Sequence, residues 1–211
     1  MTFTTWITFF FASCLIAVSP GSGAVLSMSH GLAYGVRKAT VTILGLQAGL
    51  LLVLFIAGAG VGSILLASET AFAVVKTVGA LYLIYLGITQ WRARVDTGAV
   101  QSHGGPAPTA GRRFLLGFLT NATNPKGIVF MVAVLPQFIS GSAPLLPQLL
   151  ILAATTCAVD LVVMHGYALA AAVMQRYFRS ANAVRKQNKF FGGVLMAVGA
   201  TLFFVKRTPH A

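Results

Sequence analysis

Acidic residues are almost missing from this chain. Among its 211 residues there are only three carboxylates, Glu69, Asp96 and Asp160, so the formal charge of +12 reflects missing acids as much as abundant bases. Charge of either sign is scarce as well: 9% of residues are charged and 57% hydrophobic, whereas soluble domains carry about one quarter charged residues. That balance excludes a soluble fold and leaves an all-α integral membrane protein embedded in lipid. A nucleic-acid binder would gather its bases on one face among exposed aromatics; here they fall in short clusters between apolar runs, so nucleic acid is not an expected partner. Cysteine is nearly absent too. Cys14 and Cys157 both lie inside apolar segments and form no CxxC pair, which gives no disulfide framework or zinc site, and no metal or other cofactor is expected.

What the chain does have is long apolar runs. Trp6 to Met28, Val41 to Leu66, Ala71 to Trp91, Phe114 to Leu135 and Gln148 to Met174 are each long enough to cross a hydrocarbon core of about 30 Å. A sixth, Phe190 to Val205, is shorter. At about 1.5 Å per residue it covers roughly 24 Å, so Lys189 and Lys206 must snorkel or the bilayer must thin. No Lys or Arg precedes the first run, which is also too long for a signal core, so it is expected to remain in the mature protein.

Basic residues set the orientation. Arg37 and Lys38 follow the first span, Arg92, Arg94, Arg112 and Arg113 the third, and Arg176, Arg179, Arg185, Lys186 and Lys189 the fifth, while the alternate loops carry none. The basic loops are therefore cytoplasmic and both termini lie outside, with only Lys206 and Arg207 dissenting. The stretch 96–111, rich in Gly, Pro and Ser, reads as a flexible cytoplasmic linker between halves 1–95 and 112–211. Three spans per half is an odd number, so the halves enter the membrane from opposite sides, the geometry of two inverted three-helix repeats. Closely spaced glycines such as Gly45 and Gly49, or Gly58 and Gly62, fit tight helix packing, which can include a face for a homo-oligomer.

Two helix-breaking tripeptides interrupt the first span of each half: Ser19-Pro20-Gly21 and Asn124-Pro125-Lys126. Paired interruptions of this kind point to a transporter's substrate site. A half-helix starting after Pro20 would offer unpaired N–H groups and a positive dipole end to a carboxylate; the alternative is a simple kink. Asn121 and Asn124 can donate or accept at the second break, so that the two breaks together could hold a zwitterion. Gln47, between Gly45 and Gly49, is either a cavity group or a helix-to-helix hydrogen bond. Lys126 and Asp160 both sit near the middle of their spans, where a charge must face the bundle interior. They either form an ion pair that locks two helices, or Asp160 exchanges protons as the cavity opens to each side. His165 follows Asp160 by five residues, which turns it off the same face and makes a direct relay between them a poor fit.

Read together, Ser19-Pro20-Gly21-Ser22-Gly23-Ala24, Gly45-Leu46-Gln47, the run Leu81 to Ile88 with Gln90-Trp91-Arg92, and Asn124-Pro125-Lys126 with Pro136-Gln137-Phe138 form a pattern. That pattern resembles the lysine and threonine exporter family of bacterial amino-acid efflux proteins. Asp160 followed by Met164 and Gly166-Tyr167-Ala168 is similar to its homoserine and homoserine-lactone exporter branch. The resemblance implies a non-enzymatic inner-membrane secondary transporter exporting small neutral amino acids such as homoserine, homoserine lactone or threonine, driven by protons. On that footing Ser19 and Gly21 with the following half-helix take the carboxylate, Gln47, Asn121 and Asn124 shape the pocket, and Pro20 and Pro125 count among the substrate-binding positions. Asp160 takes the ammonium or the coupling proton, and Lys126 balances its charge or contacts the carboxylate. Two other architectures of the same kind remain open at this point, a transmembrane thiol-electron conduit using Cys14 and Cys157, and a metal-ion exporter using Asp160 and His165.

Overall fold

The computed structural model describes residues 1–67, 69–92 and 107–173, with the pairs 185–186, 189–190, 192–193, 196–197 and 199–200. All regular structure among them is helical, as expected of an all-α membrane protein. Most of the expected linker, much of the expected sixth span, and Lys206 and Arg207 lie outside the described residues.

Each helix boundary has a local cause. Thr2 caps helix α1 (Phe3–Val18), its hydroxyl accepting from Thr5 N at 3.2 Å. Pro20 cannot supply the next backbone donor, so α1 stops and Gly21 runs extended into α2 (Ser22–Tyr34), with a bend of 57° between the two axes. Gly35, at φ 78°, is the whole connection from α2 to α3 (Val36–Ala67), a conformation that costs an L side chain but not glycine. Arg37 and Lys38 therefore belong to the first turn of α3 rather than to a loop. The apolar run ended at Met28, but the helix ends where glycine permits the turn.

Helix α4 is Glu69–Arg92. The single interrupted span expected over Phe114 to Leu135 is two helices, α5 (Ala110–Ala122) and α6 (Pro125–Val134), the second continued by a 3₁₀ turn at Leu135–Phe138. Asn124 caps α6 by accepting from Lys126 N at 3.1 Å, and Pro125 occupies the first helical position, where its missing N–H costs nothing. Helix α7 is Leu145–Val173. By length and apolarity α3 and α7 each suffice to cross a bilayer, and the bent pair α1–α2 does so if its two helices are taken as one span; Thr77–Thr89 within α4 and Pro125–Phe138 are apolar but shorter.

Helix α3 packs on α5 and α6, and α7 packs on α1 and α2, so each of these long helices lies against both pieces of a broken one, while α3 also packs on α2 and α7. The α3 and α5 backbones touch: a Cβ on Gly45 would run into the Phe114 carbonyl and one on Gly117 into the Thr42 carbonyl. Small residues thus serve packing within the chain, as their spacing suggested. One buried cluster, around Phe9, Leu54, Phe130, Leu135 and Leu152, joins α1, α3, α6 and α7; a second, around Ala24, Ile43, Leu46, Met164 and Ala168, joins α2, α3 and α7.

The turn between the 3₁₀ segment and α7 is held by one buried amide. Gln148 Oε1 accepts from Ser140 N at 2.8 Å, and Nε2 donates to the carbonyls of Ser140 (3.0 Å), Ala143 (3.0 Å) and Pro144 (3.2 Å). Gln148→Leu strands these groups and is expected to cost about 2–3 kcal/mol, read as a lowered melting temperature of the detergent-solubilised protein.

Candidate functional site

The break in α1–α2 leaves a defined deficit. In a continuous helix the Ile16 carbonyl would accept from the N–H of residue 20, which is proline. Lys126, in the first turn of α6, supplies the missing donor: its ammonium Nζ donates to Ile16 O at 3.1 Å and to Ser19 O at 2.6 Å. Tyr167 of α7 donates its hydroxyl to Val18 O at 2.6 Å. The carboxyl end of α1 is thus capped by one cation and one phenol from two other helices, the sign of charge that a helix C-terminus favours. The second break lies against the first, since a Cβ on Gly21 would come within 3.2 Å of Lys126 Cε and Nζ. At that second break Asn124 N bonds Asn121 O at 3.1 Å, replacing the donor that Pro125 lacks.

Between the two core clusters lies a cavity of about 50 Å³, room for a few water molecules. Its polar wall is Ser13, Ser19, Asn121, Asn124, Lys126, Thr156 and Asp160; Gly21, Leu46, Phe130, Met131 and Met164 are among the rest. Asn121 is fixed by donating Nδ2 to Leu46 O at 2.8 Å, and its Oδ1 accepts from Asn124 Nδ2 at 3.4 Å. Asp160 accepts at Oδ2 from Gln47 Nε2 at 2.6 Å, a helix-to-helix bond that also orients the carboxylate. Asp160 Oδ1 makes no hydrogen bond among the described residues, and Lys126, with three N–H donors, has spent two. The two charges line one cavity without forming an ion pair. Such a chamber, with an anion and a cation on its walls and one unspent valence on each, matches the two charges of a zwitterion, although at about 50 Å³ it must widen to admit an amino acid.

Of the residues expected at the site, Ser19, Gly21, Asn121, Asn124, Lys126 and Asp160 meet at this cavity. Gln47 reaches it through Asp160, while Pro20 and Pro125 are not among the lining residues and act by setting where the helices break.

The model of one protein family, the LysE type translocators, matches residues 14–205. The chain belongs to this family. It is 42% identical over 203 residues to the homoserine/homoserine lactone efflux protein of Salmonella typhimurium, covering 96% of this chain and 97% of that one. An uncharacterized membrane protein of Vibrio cholerae is 40% identical over 202 residues (95% and 97%), and the leucine efflux protein of an Enterobacter species 28% over 191 residues (89% of each). No solved structure matches the chain. The resemblance drawn from the motifs is borne out: this LysE type translocator is a multi-pass protein of the bacterial inner membrane and not an enzyme.

Two groups at or beside this candidate site were given no role from the sequence, although Tyr167 was part of the motif Gly166-Tyr167-Ala168. Tyr167 follows Asp160 by seven residues, a spacing that returns to the same helix face, so its depth and side were legible although its partner was not. Ser13 is one small polar residue in an apolar run and carried no such signal. A second polar layer lies nearer the basic helix ends. His30 Nδ1 shares a hydrogen bond with Thr42 Oγ1 (2.6 Å); His165 bonds Leu161 O through Nδ1 (2.8 Å) and Thr40 Oγ1 through Nε2 (3.1 Å). Arg113 donates to the carbonyls of Lys38 and Pro108. His165 is thus held by backbone and hydroxyl, not by Asp160. Removing the phenol in Tyr167→Phe leaves Val18 O without that donor and is expected to cost about 1–2 kcal/mol, measured by thermal unfolding in detergent.

Proposed function

We propose that this translocator exports small neutral amino acids, such as homoserine, homoserine lactone or threonine, by proton antiport with alternating access around the cavity between its halves. One observation carries the reading: the two broken helices abut at a cavity whose walls bear Lys126 and Asp160 with no salt bridge between them. The relatives named for homoserine, homoserine lactone and leucine efflux support the substrate class. Homoserine and its lactone differ at the carboxyl and at the side-chain hydroxyl, which the lactone ring joins, but share the ammonium, so the ammonium is the group a common site must hold. Asp160, oriented by Gln47, is suited to it. A proton and an ammonium compete for one carboxylate, and that competition couples their movements in opposite directions. Lys126 offers its third N–H to the substrate carboxylate, with Ser19, Gly21, Asn121 and Asn124 shaping the chamber.

The arrangement follows two inverted three-helix halves, 1–95 and 112–211, with both termini outside. The reciprocal packing of α3 on α5 and α6, and of α7 on α1 and α2, supports it. Proteoliposomes loaded with labelled amino acids and given a pH gradient of either sign test the proposal. Efflux that accelerates with one sign and slows with the other is the expected result; transport indifferent to the gradient removes antiport.

A further inference from the structure

Several threonine hydroxyls in these helices are already committed. Thr8, Thr40, Thr77, Thr123, Thr155 and Thr156 each donate to the carbonyl four residues earlier. Thr156, at the cavity wall, spends its proton this way on Leu152 O at 2.8 Å. Ser13 does not. It lines the same cavity, is only 1% exposed, and its Oγ has no hydrogen-bond partner although the Phe9 carbonyl stands one turn before it. A buried hydroxyl without a partner opposes folding. Ser27 Oγ is likewise buried without a partner but lies off the cavity, so it is the place of Ser13 in a wall of charged and amide groups that offers its hydroxyl to a transported molecule.

The register of α1 against α7 gives its depth. Trp6 Nε1 donates to Thr155 Oγ1 at 3.0 Å and Tyr167 OH to Val18 O at 2.6 Å, so the two helices run parallel. Stepping along both at about 1.5 Å per residue puts Ser13 close to the depth of Asp160, on the facing wall. It also lies about 9 Å along α1 from Ser19, where Lys126 makes its contact. Carboxylate at Lys126, ammonium at Asp160 and side chain at Ser13 make three points of attachment for an α-amino acid.

We infer that Ser13 is a specificity-determining residue, its hydroxyl exchanging a hydrogen bond with the side-chain hydroxyl of the exported amino acid. The inference rests on the export reading above. A site that hydrogen-bonds a substrate hydroxyl discriminates against the analogue lacking it, because the site's own group is then left unpaired. Replacing an already unpaired hydroxyl by hydrogen in Ser13→Ala removes no existing bond, so the variant should fold.

The test uses the full-length protein in proteoliposomes and two labelled substrates, homoserine and 2-aminopentanoate, which carries a methyl in place of the hydroxyl. The quantity read is the ratio of their kcat/KM values on one preparation, from which differences in yield cancel. Wild type is expected to favour homoserine, and Ser13→Ala to lower the ratio about ten-fold, the worth of one hydrogen bond. A wild-type ratio near one, or a ratio that Ser13→Ala leaves as it was, overturns the inference. If Ser13 instead met the ammonium or a resident water, both substrates would shift together and the ratio would hold. Wild-type protein that moves neither these nor any other amino acid in the panel removes the export reading itself, a failure distinct from an unchanged ratio.

Discussion

Asp160→Asn is expected to insert and fold normally yet lose gradient-driven efflux by at least about a hundredfold, the worth of a charged hydrogen bond near 3 kcal/mol. The fold should survive because an asparagine carbonyl can accept from Gln47 Nε2 as Asp160 Oδ2 does at 2.6 Å. No direct salt bridge with Lys126 is lost, only the attraction of the two charges across the cavity, and the Lys126 ammonium keeps its bonds to Ile16 and Ser19. What disappears is the negative charge, and with it both the site for a proton and the counter-ion for a substrate ammonium. Size-exclusion chromatography checks folding, and two assays separate the roles. Counterflow, the exchange of labelled for unlabelled substrate without a gradient, needs binding but no net proton movement. If it persists while gradient-driven efflux vanishes, Asp160 carries the proton; if both vanish, it also holds the ammonium. Normal gradient-driven efflux by Asp160→Asn would remove the coupling role.

The site was legible in the sequence where a residue violated the rules of an apolar helix. Pro20 and Pro125 announced the breaks, and Lys126 and Asp160 announced an interior cavity, because lipid tolerates neither a missing backbone donor nor a lone charge without a local remedy. The remedies themselves were hidden. Lys126 and Asp160, the two charges expected deep in the membrane, invited an ion pair, but the nearer demand on the ammonium is the pair of carbonyls at the end of α1. That depends on how two breaks distant in the chain meet, which no local pattern encodes. Boundaries failed for a related reason. The run ending at Met28 measured apolarity, while the helix runs on through Ser29 to Tyr34 until Gly35 provides a positive φ. Ser13 was illegible altogether, since a serine in an apolar run reads as a small packing residue until its hydroxyl is found without a partner.

Lys126→Met should be more damaging than Asp160→Asn, because it removes structure as well as charge. Two bonds from a cation to the end of α1 are lost, the residue that would give the Ile16 carbonyl its helical backbone donor is proline, and the Tyr167 hydroxyl is engaged at Val18 O. Bonds to charged groups are worth about 1.5–3 kcal/mol each, but methionine also relieves the burial of an ammonium, so a net loss of roughly 3 kcal/mol is expected, with transport abolished. Thermal unfolding in detergent reads the first effect and proteoliposome efflux the second. Pro20→Ala then supplies the decisive comparison. It restores an N–H that can close the helix onto Ile16, so in the Lys126→Met background it should recover part of the lost stability while leaving transport absent, because the break that shapes the chamber has been healed. A Lys126→Met protein as stable as wild type would show that the ammonium does not hold α1. Recovery of a misfolded Asp160→Asn protein by adding Lys126→Met would instead show that the two charges act chiefly as a pair. The capping geometry predicts neither, since it ties Lys126 to the carbonyls that proline leaves bare and frees Asp160 for the substrate.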